Sequence, residues 1–463
     1  CKQQSHFPSY IKSIIAIEET SLVTEKQILF AKDISETTFT PLGKTLRHTL
    51  PKTAKKLLAP EESPALKPAK ISKKYQTLLD AFLASPLPTL HISSALVDHT
   101  LLFAVALHNK ANQKQTLILA PEILQLLPLE SEARKYFPSS QIAVLHSHLT
   151  PKEYKSRWMD IKTGAASLIL ATRQGLFAPF HDLATVIVTD EQDQGYKQWD
   201  MSPRYEGREA AFTLAKLHQA KLLLTTEAPS LRSLYQLQRQ ELSLLNPFRK
   251  QPVLKDIEII NLRIERYQKN FSPLSAALKE ALTTTIKKGG QALLIIPTRG
   301  IASYSVCAGC KKIFRCPESS HALRETRQGH YECPGCTYKT SLFPSCPHCG
   351  HLEFWQRGLG TEKLEEELHK LFPYTRTARL DGETVRKHKD LISTYEAITN
   401  GEIPLLIGTR MLEKRFPLPN LDLIAIIDAD NSLSSVDFRG DEHFLQSLTK
   451  LSLGRDTAHT RFI

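Results

Sequence analysis

SLILATRQGLFAPFHDLATVIVT, residues 167–189, contains two continuous apolar runs, Ser167–Ala171 and Thr185–Thr189, with no polar alternation inside either. A strand that buries one face alternates, whereas a strand that is apolar throughout is covered on both faces. Runs of the same kind recur on either side. Thr116–Ala120 (TLILA) precedes them and Lys221–Thr225 (KLLLT) follows. Further on come Gln291–Ile296 (QALLII), Pro404–Gly408 (PLLIG) and Asp422–Asp428 (DLIAIID). Helical spacing marks intervening segments, among them Pro151–Lys162 and Gly207–His218. Strands that alternate with helices predict an α/β protein with parallel sheets, here in two lobes. No repeat of fixed period is visible.

The 463 residues suit about three domains. No apolar run approaches the roughly 18 residues needed to cross a bilayer, and no secretory signal is visible. No membrane partner is therefore expected. The formal charge is +12, from 60 basic and 48 acidic residues. That balance favours a polyanionic partner, most often nucleic acid. The sequence starts at Cys1 rather than Met, so further residues are expected ahead of it. Residues 51–74 are rich in Pro, Lys and Ala and read as an extended linker.

Seven of the eight cysteines lie between Cys307 and Cys349, directly after QALLII. They form C-A-G-C (Cys307, Cys310), a lone Cys316, C-P-G-C (Cys333, Cys336) and C-P-H-C (Cys346, Cys349). Two residues between cysteines let both thiolates reach one ion from a tight turn. Clustered pairs of this kind predict structural zinc in a reducing cytoplasm rather than disulfides.

Several segments together resemble the primosomal protein N′, or PriA, family of replication restart helicases. They include LILAPEI (118–124), AVLHSHL (143–149), ATRQGLFAPF (171–180), YKQ (196–198) and PRYEGREAA (203–211). In the second half they include the cysteine cluster, GLGTEKLEEEL (358–368), RLDGET (379–384), IGTRMLEK (407–414) and DFRGDE (437–442). The resemblance implies a superfamily 2 helicase: two RecA-like lobes that close on ATP and walk 3′→5′ along single-stranded DNA at abandoned forks. Primosome proteins and single-strand-binding protein are the implied partners, beside forked or single-stranded DNA. The implied organisation is a small helical winged-helix remnant over 1–50, the linker 51–74, and lobe 1 over 75–235. A connector and the start of lobe 2 follow over 236–305, then a zinc insert over 306–355 and the rest of lobe 2 over 356–463. The family's N-terminal DNA 3′-end-binding domain and C-terminal domain have no counterpart in the sequence.

The chain departs from the family where nucleotide chemistry belongs. A phosphate loop needs glycines for close backbone approach, a lysine for charge and a hydroxyl for Mg²⁺. HISSALVDHTLLF (91–103) occupies that place without a glycine, with Asp98 for the lysine and His99 for the hydroxyl. The family's D-E-E-H box aligns with Thr189, Asp190, Glu191 and Gln192, so Asp190 and Glu191 are the remaining candidate catalytic carboxylates. A one-residue slip would instead let Asp190–Asp193 read as D-E-x-D. Thr226-Glu227-Ala228-Pro229 replaces the SATP coupling motif, Arg415 stands where glycine is usual, and Arg455 alone remains near the closing arginine motif. ATP hydrolysis with Mg²⁺ is therefore not expected, although the nucleotide could still bind weakly between the lobes without turnover. The alternative is an active ATP-dependent 3′→5′ helicase with an atypical nucleotide site.

The resemblance also implies two nested zinc sites. The outer would use Cys307, Cys310, Cys346 and Cys349. The inner would use Cys316, Cys333 and Cys336, with Ser319 at the expected fourth position and His321 as a substitute ligand. DNA contacts are expected from Arg173, from the loop carrying Tyr196, Lys197, Trp199, Arg204, Tyr205 and Arg208, and from Thr409 and Arg410. The two tyrosines have an equally ready reading as packing residues.

Overall fold

The computed structural model describes residues 22–51, 72–93, 99–199, 201–245, 257–270, 272–296, 304–319, 322–325, 330–333, 336–341, 345–357, 361–380, 394, 396–408, 418–429, 439–452 and 460–463. The chain divides into two compact units, Cys1–Thr89 with His99–Thr225, and Leu90–Asp98 with Thr226–Ile463.

The first sheet has strands β1 (Thr89–Ile92), β2 (Gln115–Leu119), β3 (Ile142–Leu145), β4 (Leu168–Ala171), β5 (Leu183–Val188), β6 (Lys221–Thr226) and β7 (Ser243–Leu244), in the order β3-β4-β2-β5-β6-β1-β7. The pairs β3–β4, β4–β2, β2–β5 and β5–β6 are parallel. Every residue of β2 and β4 is buried, as the unbroken apolar runs require. The helix Pro151–Thr163 opens on a Thr150 capping box with Glu153 and closes on Gly164 at φ +79°, a backbone state that favours glycine. Asn109, on the helix Thr100–Ala111, donates to the hydroxyls of Thr116 and Thr185, each at 2.8 Å, so the polar atoms between helix and sheet are satisfied.

Described residues of the N-terminal segment belong to this first unit. Gln27, on the helix Glu25–Thr37, donates to the Phe177 carbonyl at 2.7 Å and to the Thr49 carbonyl at 3.3 Å. Phe30 meets Phe177 edge-on, with ring centres 5.2 Å apart.

The second unit contains a five-stranded sheet of β8 (Gln291–Ile295), β14 (Thr377–Leu380), β15 (Leu405–Gly408), β16 (Leu421–Ile426) and β17 (Arg461–Phe462), in the order β14-β15-β8-β16-β17 and parallel throughout. Leu278 and Leu282 of the helix Ala276–Lys287 and Leu364 and Leu368 of the helix Thr361–Leu371 cover it. Between β8 and β14 lies the cysteine insert. It has a hairpin of β9 (Tyr304–Cys307) with β13 (Phe354–Arg357), and a small antiparallel sheet of β10 (Arg324–Glu325), β11 (His330–Glu332) and β12 (Lys339–Ser341).

Each central strand begins with a fully engaged glutamine. Gln115 donates to the carbonyls of Ile161 and Ala166 at 2.9 and 2.8 Å and accepts from the His181 backbone N–H at 2.7 Å. Gln291 donates to the carbonyls of Ile398 and Ile403 at 3.2 and 3.0 Å and accepts from the Asn420 N–H at 3.3 Å. Each amide thus ties together the loops that lead into neighbouring strands. Replacing Gln115 with Leu keeps the volume but strands these buried backbone groups. The expected loss is about 1–3 kcal/mol in urea unfolding of the first unit, and a loss under ~0.5 kcal/mol would show that the staple is unimportant.

Candidate functional site

The carboxyl ends of β2 and β5 are where a nucleotide-hydrolysing α/β protein places its acidic groups. Here those ends are closed by the protein itself. Thr189 follows β5 directly, and its hydroxyl donates to the Leu119 carbonyl at 3.0 Å. Asp190 has φ +48°, in the left-handed region, and its buried carboxylate accepts from the Gln125 amide at 3.3 Å. Glu191 accepts from the Arg208 Nε at 2.8 Å, with side-chain exposures of 0% for Glu191 and 4% for Arg208. Asp193 caps the next turn by accepting from the Gly195 N–H at 2.7 Å. Each of these four residues is therefore committed to a protein partner. At the position of the phosphate-loop hydroxyl, His99 Nδ1 lies 2.9 Å from Glu132 Oε2.

Tyr196 is wholly buried. Its hydroxyl sits 2.9 Å from the Leu119 carbonyl and 2.7 Å from the Thr189 carbonyl. Burial first, and then the nearby Asp190 charge, hold this phenol well above its usual pKa, so it remains a neutral donor. Tyr205 is also buried, and its hydroxyl donates to the Arg173 carbonyl at 3.2 Å. Burial pushes its pKa up as well. The Arg173 guanidinium donates to Gln198 at 3.0 Å and to the Gly195 carbonyl at 2.6 Å. These bonds hold a two-ended loop in which Lys197 pairs with Glu206 and the Gln198 N–H reaches the Tyr205 carbonyl. Gly207 closes it. A Cβ there would come within 3.2 Å of Tyr196 and 3.3 Å of the Arg173 Cβ.

The loop's outward residues are different in kind. Trp199 is 69% exposed, and the Lys197 ammonium lies 5.8 Å from its ring centre. Arg204 is exposed. The structure thus separates the seven expected DNA-contact residues of this region. Tyr196, Tyr205 and Arg173 build the loop and Arg208 is buried against Glu191, contrary to expectation, whereas Trp199, Lys197 and Arg204 lie on the outer side. The sequence did not reveal this division, because an aromatic interleaved with basic residues reads the same whether it packs or stacks. Thr409, Arg410, Arg455, His321 and Asp98 lie outside the described residues.

In the insert, Cys307, Cys310, Cys346 and Cys349 converge, and separately Cys316, Cys333 and Cys336 do. Cys307 and Cys349 sulfurs are 3.5 Å apart, and those of Cys310 and Cys346 3.7 Å. Cys316 and Cys336 sulfurs are 3.5 Å apart. A disulfide would need about 2.05 Å, whereas tetrahedral Zn–S bonds of about 2.3 Å give sulfur–sulfur edges near 3.8 Å. The donor sets therefore fit zinc. Local backbone geometry explains the convergence. In each pair the first cysteine's N–H bonds the carbonyl five residues on: Cys307 to Lys312, Cys333 to Tyr338 and Cys346 to His351. The residues after the outer pairs, Lys311 and Gly350, take φ of +60° and +73°, which turns the chain back.

Comparison with known proteins gives relatives for this arrangement. The replication restart protein PriA of Bacillus subtilis is 33% identical over 359 residues, covering 76% of this chain and 44% of that protein. The PriA proteins of Haemophilus influenzae and Synechocystis are 34% and 32% identical, covering 72% and 73% of this chain and 45% and 42% of theirs. The aligned part of the chain belongs to the PriA family. It spans less than half the length of each of these three PriA proteins. No family model matches the chain. Among solved structures, RecG bound to a three-way DNA junction aligns over 94% of this chain and 47% of its own, at TM-score 0.46 and 14% identity.

The Glu191–Arg208 pair gives a direct test of what the acidic box does. A catalytic carboxylate is removed at little cost to stability, whereas a buried ion-pair partner is not. Glu191→Ala is expected to destabilise the first unit by about 3–5 kcal/mol in denaturant unfolding, and the Glu191→Leu/Arg208→Leu double variant to recover most of that loss. A loss below ~1 kcal/mol for Glu191→Ala would rule out the structural role.

Proposed function

We propose that this chain is a PriA-type replication restart protein that binds DNA at stalled forks and supports primosome assembly without ATP-driven unwinding. The observation that carries this reading is the state of the strand end after β5. Hydrolysis needs a carboxylate free to organise Mg²⁺ and another free to orient water. The aligned residues are instead a threonine bonded to Leu119 and an aspartate, Asp190, that is one carbon shorter and buried against the Gln125 amide, and the next carboxylate, Glu191, is sealed against Arg208.

DNA binding is supported by family membership, by the +12 charge and by the outward set Trp199, Lys197 and Arg204. An exposed indole with the Lys197 ammonium 5.8 Å from its ring centre is suited to stack a base, and Lys197 and the exposed Arg204 to neutralise phosphates. The cysteine insert takes one structural zinc through Cys307, Cys310, Cys346 and Cys349. When bound, the ion supplies a rigid crosslink at the base of the insert, and the chain's own thiolates supply every ligand. Among the described residues no helix is long and apolar enough to cross a membrane.

Purified, zinc-loaded protein is expected to hydrolyse ATP no faster than a blank, with or without forked DNA, while binding that DNA. DNA-stimulated turnover would overturn the scaffold reading and restore an ATP-dependent 3′→5′ helicase. Trp199→Ala is expected to weaken single-stranded DNA binding by about 1–3 kcal/mol, measured by fluorescence anisotropy at fixed salt. Unchanged affinity would remove this loop from the DNA interface.

A further inference from the structure

The helix Glu25–Thr37 ends on a residue poorly suited to the place it occupies. Thr38 is its C-cap, and the next residue, Phe39, takes φ +50°, the left-handed state that glycine usually supplies after a helix. A bulky side chain there is strained against its own backbone. The Phe39 ring is also 96% exposed, so burial does not offset the strain. The turn is nevertheless firmly held. The Thr40 N–H reaches the Ser35 carbonyl at 3.0 Å, the Ser35 hydroxyl donates to the Thr40 carbonyl at 2.6 Å, and the Thr38 hydroxyl donates to the Ile34 carbonyl at 2.6 Å. A strained, exposed aromatic on a fixed turn points to binding rather than packing.

The same turn lies against the loop that presents Trp199. The Thr40 hydroxyl is 3.4 Å from the Ser202 hydroxyl, and His48 Nε2 is 3.3 Å from the Ser202 carbonyl oxygen. His48 also packs on Phe177, whose ring meets Tyr205 edge-on, with ring centres 5.5 Å apart in each pair. Ser202 follows Trp199 by three positions, a span of at most about 11 Å. Met201, beside Ser202, is exposed. Residues 38–50 carry Lys44, Arg47 and His48 and no acid, and Lys44 and Arg47 are exposed. The nearest acid upstream, Glu36, lies 3.9 Å from Lys32.

We propose that single-stranded DNA continues from the Trp199 loop across Ser202 onto this N-terminal turn, where Phe39 stacks a second base and Lys44 and Arg47 neutralise phosphates. The proposal rests on the reading of Trp199 as a DNA contact given above. Two exposed rings, joined through one serine and flanked by cations from both segments, match a polymer of flat bases and phosphates. An acidic peptide would use the cations but gives no role to two separated rings. The tract shared by both rings is short, well within the roughly 4–16 nucleotides that one single-strand-binding fold covers.

The test uses the full chain and fluorescein-labelled oligothymidylate, read by anisotropy at several salt concentrations. Phe39→Gly should weaken binding roughly fivefold or more, yet leave the urea unfolding midpoint unchanged or higher, because glycine relieves the backbone strain. A ring held only for packing would give a loss of stability instead. Lys44→Gln with Arg47→Gln should lower the steepness of log affinity against log salt by about 1.4, the effect of two lost single-strand phosphate contacts. Irradiating the unaltered protein with a bromodeoxyuridine-substituted strand should crosslink the peptide holding Phe39 as well as that holding Trp199. Weakened binding in Trp199→Ala, with affinity and salt slope unchanged in the N-terminal variants, would overturn this proposal and leave the Trp199 loop standing as a DNA contact. So would crosslinks confined to the loop peptide. Unchanged affinity in Trp199→Ala and Phe39→Gly alike would overturn both readings.

Discussion

A parallel strand buried on both faces has no solvent to receive the polar groups where its neighbours enter the sheet, and this constraint organises both units. Gln115 and Gln291 meet it in the same way at the first residue of each central strand. One side-chain amide reaches two carbonyls on the connection that feeds one neighbouring strand, and its oxygen takes an N–H from the connection that feeds the other. Leaving such groups unpaired costs more than a hydrogen bond ordinarily contributes. The glutamines are therefore part of what fixes the order of the strands. The apolar runs beyond them then need only be long enough and hydrophobic enough to fill the space under the helices.

The opposite strand ends face a related demand with a different outcome. Carboxyl ends of parallel strands leave carbonyls and acidic side chains pointing at a crevice, which a nucleotide and its metal would ordinarily satisfy. Here the Tyr196 hydroxyl and the Thr189 hydroxyl both serve the Leu119 carbonyl, and Arg208 neutralises Glu191. The same Tyr196 ring sets the height of the loop, Gly207 lets it pack closely, and Arg173 fixes the loop's inner edge. Trp199 is exposed next to Gln198, which is buried and held by Arg173 and by the Tyr205 carbonyl. Closure of the acidic box and presentation of the indole are thus two results of one packing arrangement.

This arrangement explains what was legible in the sequence and what was not. The strands were legible because a doubly covered strand leaves an unbroken apolar run: Thr116–Ala120 and Pro404–Gly408 fall within one residue of β2 and β15. The helices Pro151–Thr163 and Gly207–His218 were legible from spacing. The two cysteine clusters were legible because cysteine spacing encodes turn geometry directly. The glutamine staples and the link from Gln27 to Phe177 were not, since a polar residue beside an apolar run usually marks a strand's end rather than a buried tie. The inward or outward sense of Tyr196, Tyr205 and Trp199 was hidden for a similar reason. All three sit among charges, and only the carbonyls left over by the sheet decide which ring turns in.

The two cysteine groups are nested, and they close the insert at different places. Cys307 ends β9 and pairs across the hairpin with Phe354, so the outer group closes the base through which the whole insert joins β8 and the helix that follows β13. Losing a ligand there would free both ends of a long loop and unpair a hairpin. The inner group closes a shorter loop inside one that is already closed, and the entropy recovered by opening it is correspondingly smaller. Phe314 and Tyr331 also pack beside its sulfurs, with Phe314 against Phe354 at 4.9 Å between ring centres. Apolar contacts therefore help to hold this part of the insert together. The Cys307–Cys349 and Cys310–Cys346 contacts close the insert at its base, where Cys307 lies opposite Phe354, whereas Ser319 meets Cys333 in its interior.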